Sequence, residues 1–372
     1  MEQQYQISFL PWVAFDKAIE IGPIILWPFF LEVEHRIKDR KIIEYLQKYF
    51  KSYVDYKEVP VEKITICTHG KDYFRYLNEF ELKELRNAID ILTFLSIAPR
   101  VTQAVCMDNS SFGPPSADIF ELITQNFLLT NNYISIEVGS ITHTGYKIGE
   151  INFPKPFATG GIIGNPGEQF INAINKCLSS NHLTELKERL LRTLEWFRMA
   201  HIEGGQVSIH SKIVMLSTAF EIFQTSPKGT RWYFIKYIEH QIASKNIFRG
   251  IRTNGKGEKR DLSLAGCWAF DFYGLRNKIV HGEEINNNDL RYRDWITHLI
   301  VADLMLYQCI KKALYINDCF DKSFDEFIDG IKKIFNDKIL DDDILLLLNI
   351  SLGFKHTHEA LGWIKNSNEE YS

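Results

Sequence analysis

Residues 211–223, SKIVMLSTAFEIF, are apolar on nearly every side once wound into a helix, interrupted only by Ser211, Lys212 and Glu221. Such a helix has no face to turn toward water, so it belongs in the middle of a helical bundle. Glu221 then needs a polar partner inside the bundle or a place at the helix's exposed end. Neighbouring segments supply the walls. Residues 183–201 alternate charged and apolar faces through Leu186, Leu190, Leu194 and Phe197, and further helical patterns cover 168–178, 233–243, 271–282 and 294–315.

The first half of the chain has a different texture. Residues 7–21 carry Phe9, Leu10, Trp12, Val13 and Phe15, then Gly22-Pro23 and the apolar run 24–31. Short runs bounded by Gly and Pro predict strands. Helical spacing over 40–53 (Ile42, Ile43, Leu46, Tyr49, Phe50) and a strand at 63–67 follow. The longest pattern is 79–97, where Leu82, Leu85, Ala88, Ile89, Leu92 and Leu95 recur at three or four residues and Pro99 is expected to stop the helix. Residues 119–129, 133–138 and 146–151 read as extended, and 108–116 as a loop. Three prolines and four glycines in 153–167 mark a linker. The expected fold class is α+β, with a mixed α/β domain over 1–165 whose role (sensor, specificity module or regulator) is open, an all-α bundle over 166–316 and a helical tail over 317–372.

A chain of 372 residues, 45% hydrophobic and 24% charged, can bury a sizeable core and is not a disordered one. Its formal net charge of −4 excludes a general nucleic-acid coat protein, so any RNA contact needs a local basic patch. Cys67, Cys106, Cys177, Cys267, Cys309 and Cys319 show no C-x-x-C spacing, which points to reduced thiols in a cytoplasmic protein. Residues 24–31 are too short and Pro-broken to span a bilayer, and the first residues carry no basic signal region, so no membrane association is expected.

The residues best suited to chemistry lie in 271–282, DFYGLRNKIVHG. In a helix Asn277 and His281, four apart, are neighbours on one face, and the long side chain of Arg276 can swing toward the same patch. Gly282 is a favoured residue just past a helix end, which puts the imidazole in the last turn, where the helix dipole favours its charged form. A guanidinium on such a helix needs an anionic partner, which Asp271 or Glu221 could supply. Asn277 can orient the imidazole or hold the helix pair together.

The string RNKIVHG resembles the signature of the HEPN family, an arginine followed by a polar residue and a histidine four to six positions on. Its setting, after an upstream amphipathic helix pair, looks like the Apea-like branch linked to abortive phage infection. The resemblance covers about 183–315 and implies a HEPN-like bundle and a metal-independent ribonuclease. It also implies a homodimer in which two arginine–histidine pairs share one cleft. Arg276 and His281, with Asn277 beside them, are then the catalytic residues, and no cofactor or metal is expected.

The chemistry of these side chains fits RNA. Cleavage without a metal uses the ribose 2′-OH as nucleophile, which DNA lacks. A histidine can take that proton or protonate the leaving oxygen, while an arginine stabilises charge building on the phosphorane oxygens. Acid and base together want two titratable groups, and a two-fold dimer supplies the second. Just upstream, 248–261 (FRGIRTNGKGEKRD) gathers Arg249, Arg252, Lys256, Lys259 and Arg260 among glycines, a candidate flexible loop for contacting RNA phosphates. The His-x-His of 355–359 lacks a third metal ligand, and the glycines of 160–164 lack the Lys-Ser/Thr of a phosphate loop. Rival readings are a non-catalytic HEPN-like module that binds RNA or protein, and a toxin silenced by a separate regulatory partner protein.

Overall fold

Alternation of side chains across a five-stranded sheet builds the first half of the molecule. The computed structural model describes residues 4–55, 57–61, 64–71, 73–106, 116–130, 133–138, 141–150, 152–156, 167–204, 207–224, 231–241, 249–253, 257–293 and 296–320. The chain falls into two units, one drawn from residues 1–96, 115–171 and 201–206, the other from 97–114, 172–200 and 207–372. The division therefore does not follow a single cut, and residues 157–166 of the expected linker lie outside the described residues.

The first unit contains β1 (Tyr5–Leu10), β2 (Ile19–Ile21), β3 (Ile24–Pro28), α1 (Phe29–Arg36), α2 (Arg40–Phe50), β4 (Tyr53–Val54) and β5 (Thr65–His69). Next come α3 (Glu79–Cys106), which begins in this unit, then β6 (Ile123–Phe127), β7 (Tyr133–Val138), β8 (Ile141–Lys147) and β9 (Phe153–Pro154). The sheet runs β2-β3-β5-β1-β6, antiparallel throughout, with Phe9 opposite Ile66 and Leu26 opposite Cys67. On β1, Ile7 and Phe9 enter the core, while Gln6 and Ser8 reach across to Asn126 and Thr124 at 3.0 and 2.9 Å. This period of two makes the register of β1 and β6 specific, because a one-residue slip would exchange the two sets.

Helix α2 closes that core. Asp39 caps it by accepting from the Lys41 backbone N–H at 2.8 Å, and Ile42, Ile43, Leu46, Tyr49 and Phe50 form its buried stripe. The Phe50 ring sits 5.0 Å from Phe9 and 4.9 Å from Phe29. Three expectations change here. Helix α3 runs on to Cys106 with Pro99 inside it, although an interior proline costs roughly 3 kcal/mol. Phe94, Leu95, Ile97 and Ala98 before that proline are all buried, and burying each large apolar side chain contributes about 1.5–3 kcal/mol. The 119–129 segment divides into a 3-10 turn at Ala117–Phe120 and β6. Strand β8 ends at Lys147, because Gly149 at φ 92° and a Glu150 N–H to Lys147 carbonyl bond close a turn where extension was expected.

The second unit is helical with two small hairpins. It holds α4 (Glu168–Ser179, from residue 172 on), α5 (Thr184–Ala200), α6 (Ile209–Phe223), α7 (Arg231–Gln241), β10 (Arg249–Thr253), β11 (Lys259–Ser263), α8 (Leu264–Val280), β12 (Arg291–Arg293), β13 (Ile296–Thr297) and α9 (His298–Ile316). The apolar α6 packs on α5, α8 and α9, the central place its composition requires. Phe220 of α6, Phe234 of α7, and Trp268 and Phe272 of α8 are all almost wholly buried in one aromatic cluster; the last two stack at 4.9 Å.

Two expectations change in this unit as well. Helix α9 starts at His298, where the Thr297 hydroxyl accepts from the Ile300 N–H, so the helix begins later than the sequence pattern predicts. The expected basic loop is a β10–β11 hairpin with Arg252 paired to Arg260 across the strands. Residues 321–335 and 341–352 of the expected tail helices, and the His-x-His of 355–359, lie outside the described residues. Phe220→Ala is expected to destabilise the protein by about 3–5 kcal/mol, because it opens a cavity against three other rings. Urea unfolding followed by tryptophan fluorescence measures this, and a loss below about 1 kcal/mol would mean the cluster repacks.

Candidate functional site

Helix α8 begins where it does because of one serine. The Ser263 hydroxyl accepts from the Gly266 N–H at 3.0 Å, and Glu239 of α7 accepts from the Ser263 N–H and hydroxyl at 2.8 and 2.6 Å. The other end is a Schellman closure. Gly282 N–H bonds the Ile279 carbonyl at 3.1 Å and Glu283 N–H bonds that of Lys278 at 2.9 Å, with Gly282 at φ 71°. His281 is therefore the C-cap, one residue past the last helical position, with φ −87° and ψ 1°. Its N–H bonds the Asn277 carbonyl at 3.0 Å, and its imidazole is exposed with no hydrogen bond to a described residue.

Arg276 is held more tightly. Its Nη1 donates to Asn277 Oδ1 at 3.1 Å, its Nη2 lies 3.7 Å from Glu221 Oε1, and its guanidinium sits 5.4 Å from the Tyr273 ring centroid. The Tyr273 hydroxyl donates to the same Glu221 oxygen at 2.8 Å. Burial first, and then the Glu221 carboxylate, push the phenol up to about 12, so it stays a donor at neutral pH. The Arg276 side chain keeps 23% of its surface exposed, while its Nε is buried without a hydrogen-bond partner among the described residues. Glu221 therefore has its polar partners, and the carboxylate beside Arg276 is Glu221 rather than Asp271.

Asp271 belongs to Arg252. The two form a bidentate pair, Nε to Oδ1 at 2.9 Å and Nη2 to Oδ2 at 2.6 Å, which lays the β10–β11 hairpin against α8. Hydrogen bonding to Asp271 raises the Arg252 pKa against the opposing effect of burial. Across the hairpin, Arg260 bonds Glu258 at 3.0 Å and lies over the Trp232 ring at 4.7 Å. Opposed arginines on neighbouring strands repel, and these separate partners resolve the repulsion. Lys259 is exposed, Lys256 lies outside the described residues, and Arg249 enters only through the backbone of β10. The structure thus joins Arg276 to Asn277 and ties Arg252 to α8, while Arg260 and Lys259 stand apart on the hairpin.

Another face of α8 borders a cleft of about 510 Å³, with Asn277 on its wall beside Arg231, Arg291 and His298. The sequence reading passed over these last three, and over Tyr273. Tyr273 had a signal, three positions before Arg276 on one helix face; the others come from distant segments with no local pattern. Among the described residues no group of three or more His, Cys, Asp or Glu side chains is arranged to hold a metal ion, and no helix is long and apolar enough to cross a membrane. The cysteines with described side chains (Cys67, Cys177, Cys267, Cys309 and Cys319) are buried and form no disulfide with one another. No protein-family model matches the chain, and no curated protein or solved structure matches it.

Arg252→Ala is expected to lower stability by about 1–3 kcal/mol, since it strips a partly buried carboxylate of its bidentate partner. Lys259→Ala should stay within ~0.5 kcal/mol of the parent protein. Urea unfolding of both variants checks this, and equal losses would contradict the structural role of the Arg252–Asp271 pair.

Proposed function

We propose that this protein is a cytoplasmic endoribonuclease of the HEPN type that cleaves RNA through its own 2′-hydroxyl. The observation that carries the reading is the contrast within one helix end. Arg276 is oriented by Asn277, Glu221 and Tyr273 yet keeps an Nε with no partner among the described residues, while the imidazole of His281, five positions on at the helix cap, is exposed with no hydrogen bond to a described residue. A preorganised guanidinium and a titratable ring are the two groups this reaction needs.

In the proposed reaction His281 removes the proton from the 2′-OH, whose oxygen attacks the adjacent phosphorus. Arg276 stabilises the negative charge gathered on the phosphorane oxygens. The P–O5′ bond breaks as His281 of a second copy protonates the leaving oxygen, giving a 2′,3′-cyclic phosphate and a 5′-hydroxyl. The active species is accordingly a homodimer paired near the end of α8. A defence role of the abortive-infection kind belongs to the same reading; a toxin silenced by a separate partner protein is a rival to it.

A second reading rests on the 3.7 Å contact between Arg276 and Glu221. If that ion pair is permanent, the guanidinium is structural and the protein is a non-catalytic module that binds RNA or protein. Variants separate the two. His281→Ala and Arg276→Ala should each abolish RNA cleavage and leave the circular dichroism spectrum unchanged; a folded variant with full activity would exclude the catalytic assignment. Cleavage should also persist in EDTA and leave a 2′,3′-cyclic phosphate, and cutting of 2′-deoxy substrates would rule the mechanism out. Light scattering tests the dimer, since a strict monomer cleaving at full rate has no composite site.

A further inference from the structure

We propose that the cleft beside α8 is a nucleotide subsite, which takes one phosphate-bearing ribonucleotide of the RNA strand adjacent to Arg276; the identity of the strand rests on the ribonuclease reading. The cleft, about 510 Å³, falls within the roughly 300–1,000 Å³ typical of small-ligand sites, which suits one nucleotide and its neighbouring phosphate.

Its charge is not what a count of lining residues implies. Asp271 is neutralised by Arg252, and Asp289 by Lys278 at 3.0 Å, so both carboxylates already have cationic partners. Two lining arginines remain against Glu283, a carboxylate with no ion pair to a described residue. Arg231 gives its Nε and Nη2 to the Phe270 carbonyl at 3.0 and 2.6 Å and lies 3.4 Å over the Phe270 ring, which leaves Nη1 without a hydrogen bond to a described residue. The Arg291 side chain has no hydrogen bond or ion pair with a described residue. A fixed, half-buried guanidinium beside an unpaired one is suited to a phosphate, which accepts several charge-assisted bonds at once.

Two further features point to a nucleotide rather than to a bare anion. His298 is 4% exposed and its Nδ1 has no hydrogen-bond partner among the described residues, whereas buried polar atoms in folded proteins nearly always have one. Burial holds this imidazole down to about 4, so near neutral pH it is an uncharged group able to donate from one nitrogen and accept at the other. Asn277 and Asn288 also line the cleft, and side-chain amides pair well with base edges. Asn277 links the two faces of α8. Its Oδ1 accepts from Arg276 while its amide nitrogen has no described partner, so a nucleotide bound in the cleft would hold the residue that orients the guanidinium.

The full-length protein and a fluorescently labelled single-stranded 2′-O-methyl oligoribonucleotide, which binds but cannot be cleaved, test this by anisotropy. Arg291→Ala should weaken binding by about tenfold and reduce the salt slope by about one phosphate contact, with partial recovery in Arg291→Lys. Asn288→Ala should weaken it as well, and 5′-AMP should compete while inorganic phosphate competes less. Parent-like affinity in both Arg291→Ala and Asn288→Ala overturns the subsite, even if the protein cleaves RNA. Saturable 5′-AMP binding that depends on Arg291 without any RNA binding overturns the ribonuclease reading instead and assigns the cleft to a free nucleotide.

Discussion

Glu239 accepts from both the backbone N–H and the hydroxyl of Ser263, and that same hydroxyl caps α8 by accepting from Gly266. These contacts set the residue at which α8 starts and tie its first turn to α7. A Cβ on Gly266 would collide with the Glu239 carboxylate, so the contact depends on glycine there. Everything downstream follows at 100° per residue: Trp268 and Phe272 turn toward Phe220 and Phe234, while Arg276 turns toward Glu221. A helix begun one residue later would carry the wrong side chains into the aromatic cluster.

The same geometry gives α8 two working faces with different electrostatics. On one, a tyrosine hydroxyl and a guanidinium converge on one Glu221 oxygen. On the other, Arg252 and Lys278 compensate the acidic residues, which leaves Arg231 and Arg291 to set the local potential. An overall charge of −4 conceals this, because pairing rather than composition decides which charges a ligand meets.

Much of the architecture was legible from periodicity. The α+β order, the central place of α6 and the stripe of α2 all follow from apolar spacing, since those elements bury one face or every face. The misreadings share a cause. At Pro99 burial of the preceding residues outweighs a local penalty, and at 248–261 tertiary ion pairing makes strands of a segment with no apolar alternation. In the site, adjacency along one helix was readable, which is why Arg276, Asn277 and the Gly282 stop could be placed. The role of Arg231 was not, because it meets α8 through a carbonyl 39 residues away and leaves no trace in the local sequence. His281 differs from expectation by one position, from last turn to cap, where it is exposed.

Gly274 carries a consequence for how this region can diversify. A Cβ there would stand 2.8 Å from Nη2 and 3.3 Å from Cζ of Arg231, a guanidinium already fixed against the Phe270 ring and carbonyl. Positions 231 and 274 are thus coupled: a side chain at 274 has to displace the guanidinium of Arg231 from its seat on Phe270, and loss of that guanidinium opens the space beside 274. Such exchanges would alter the cation content of the cleft through a position on α8 that itself carries no charge.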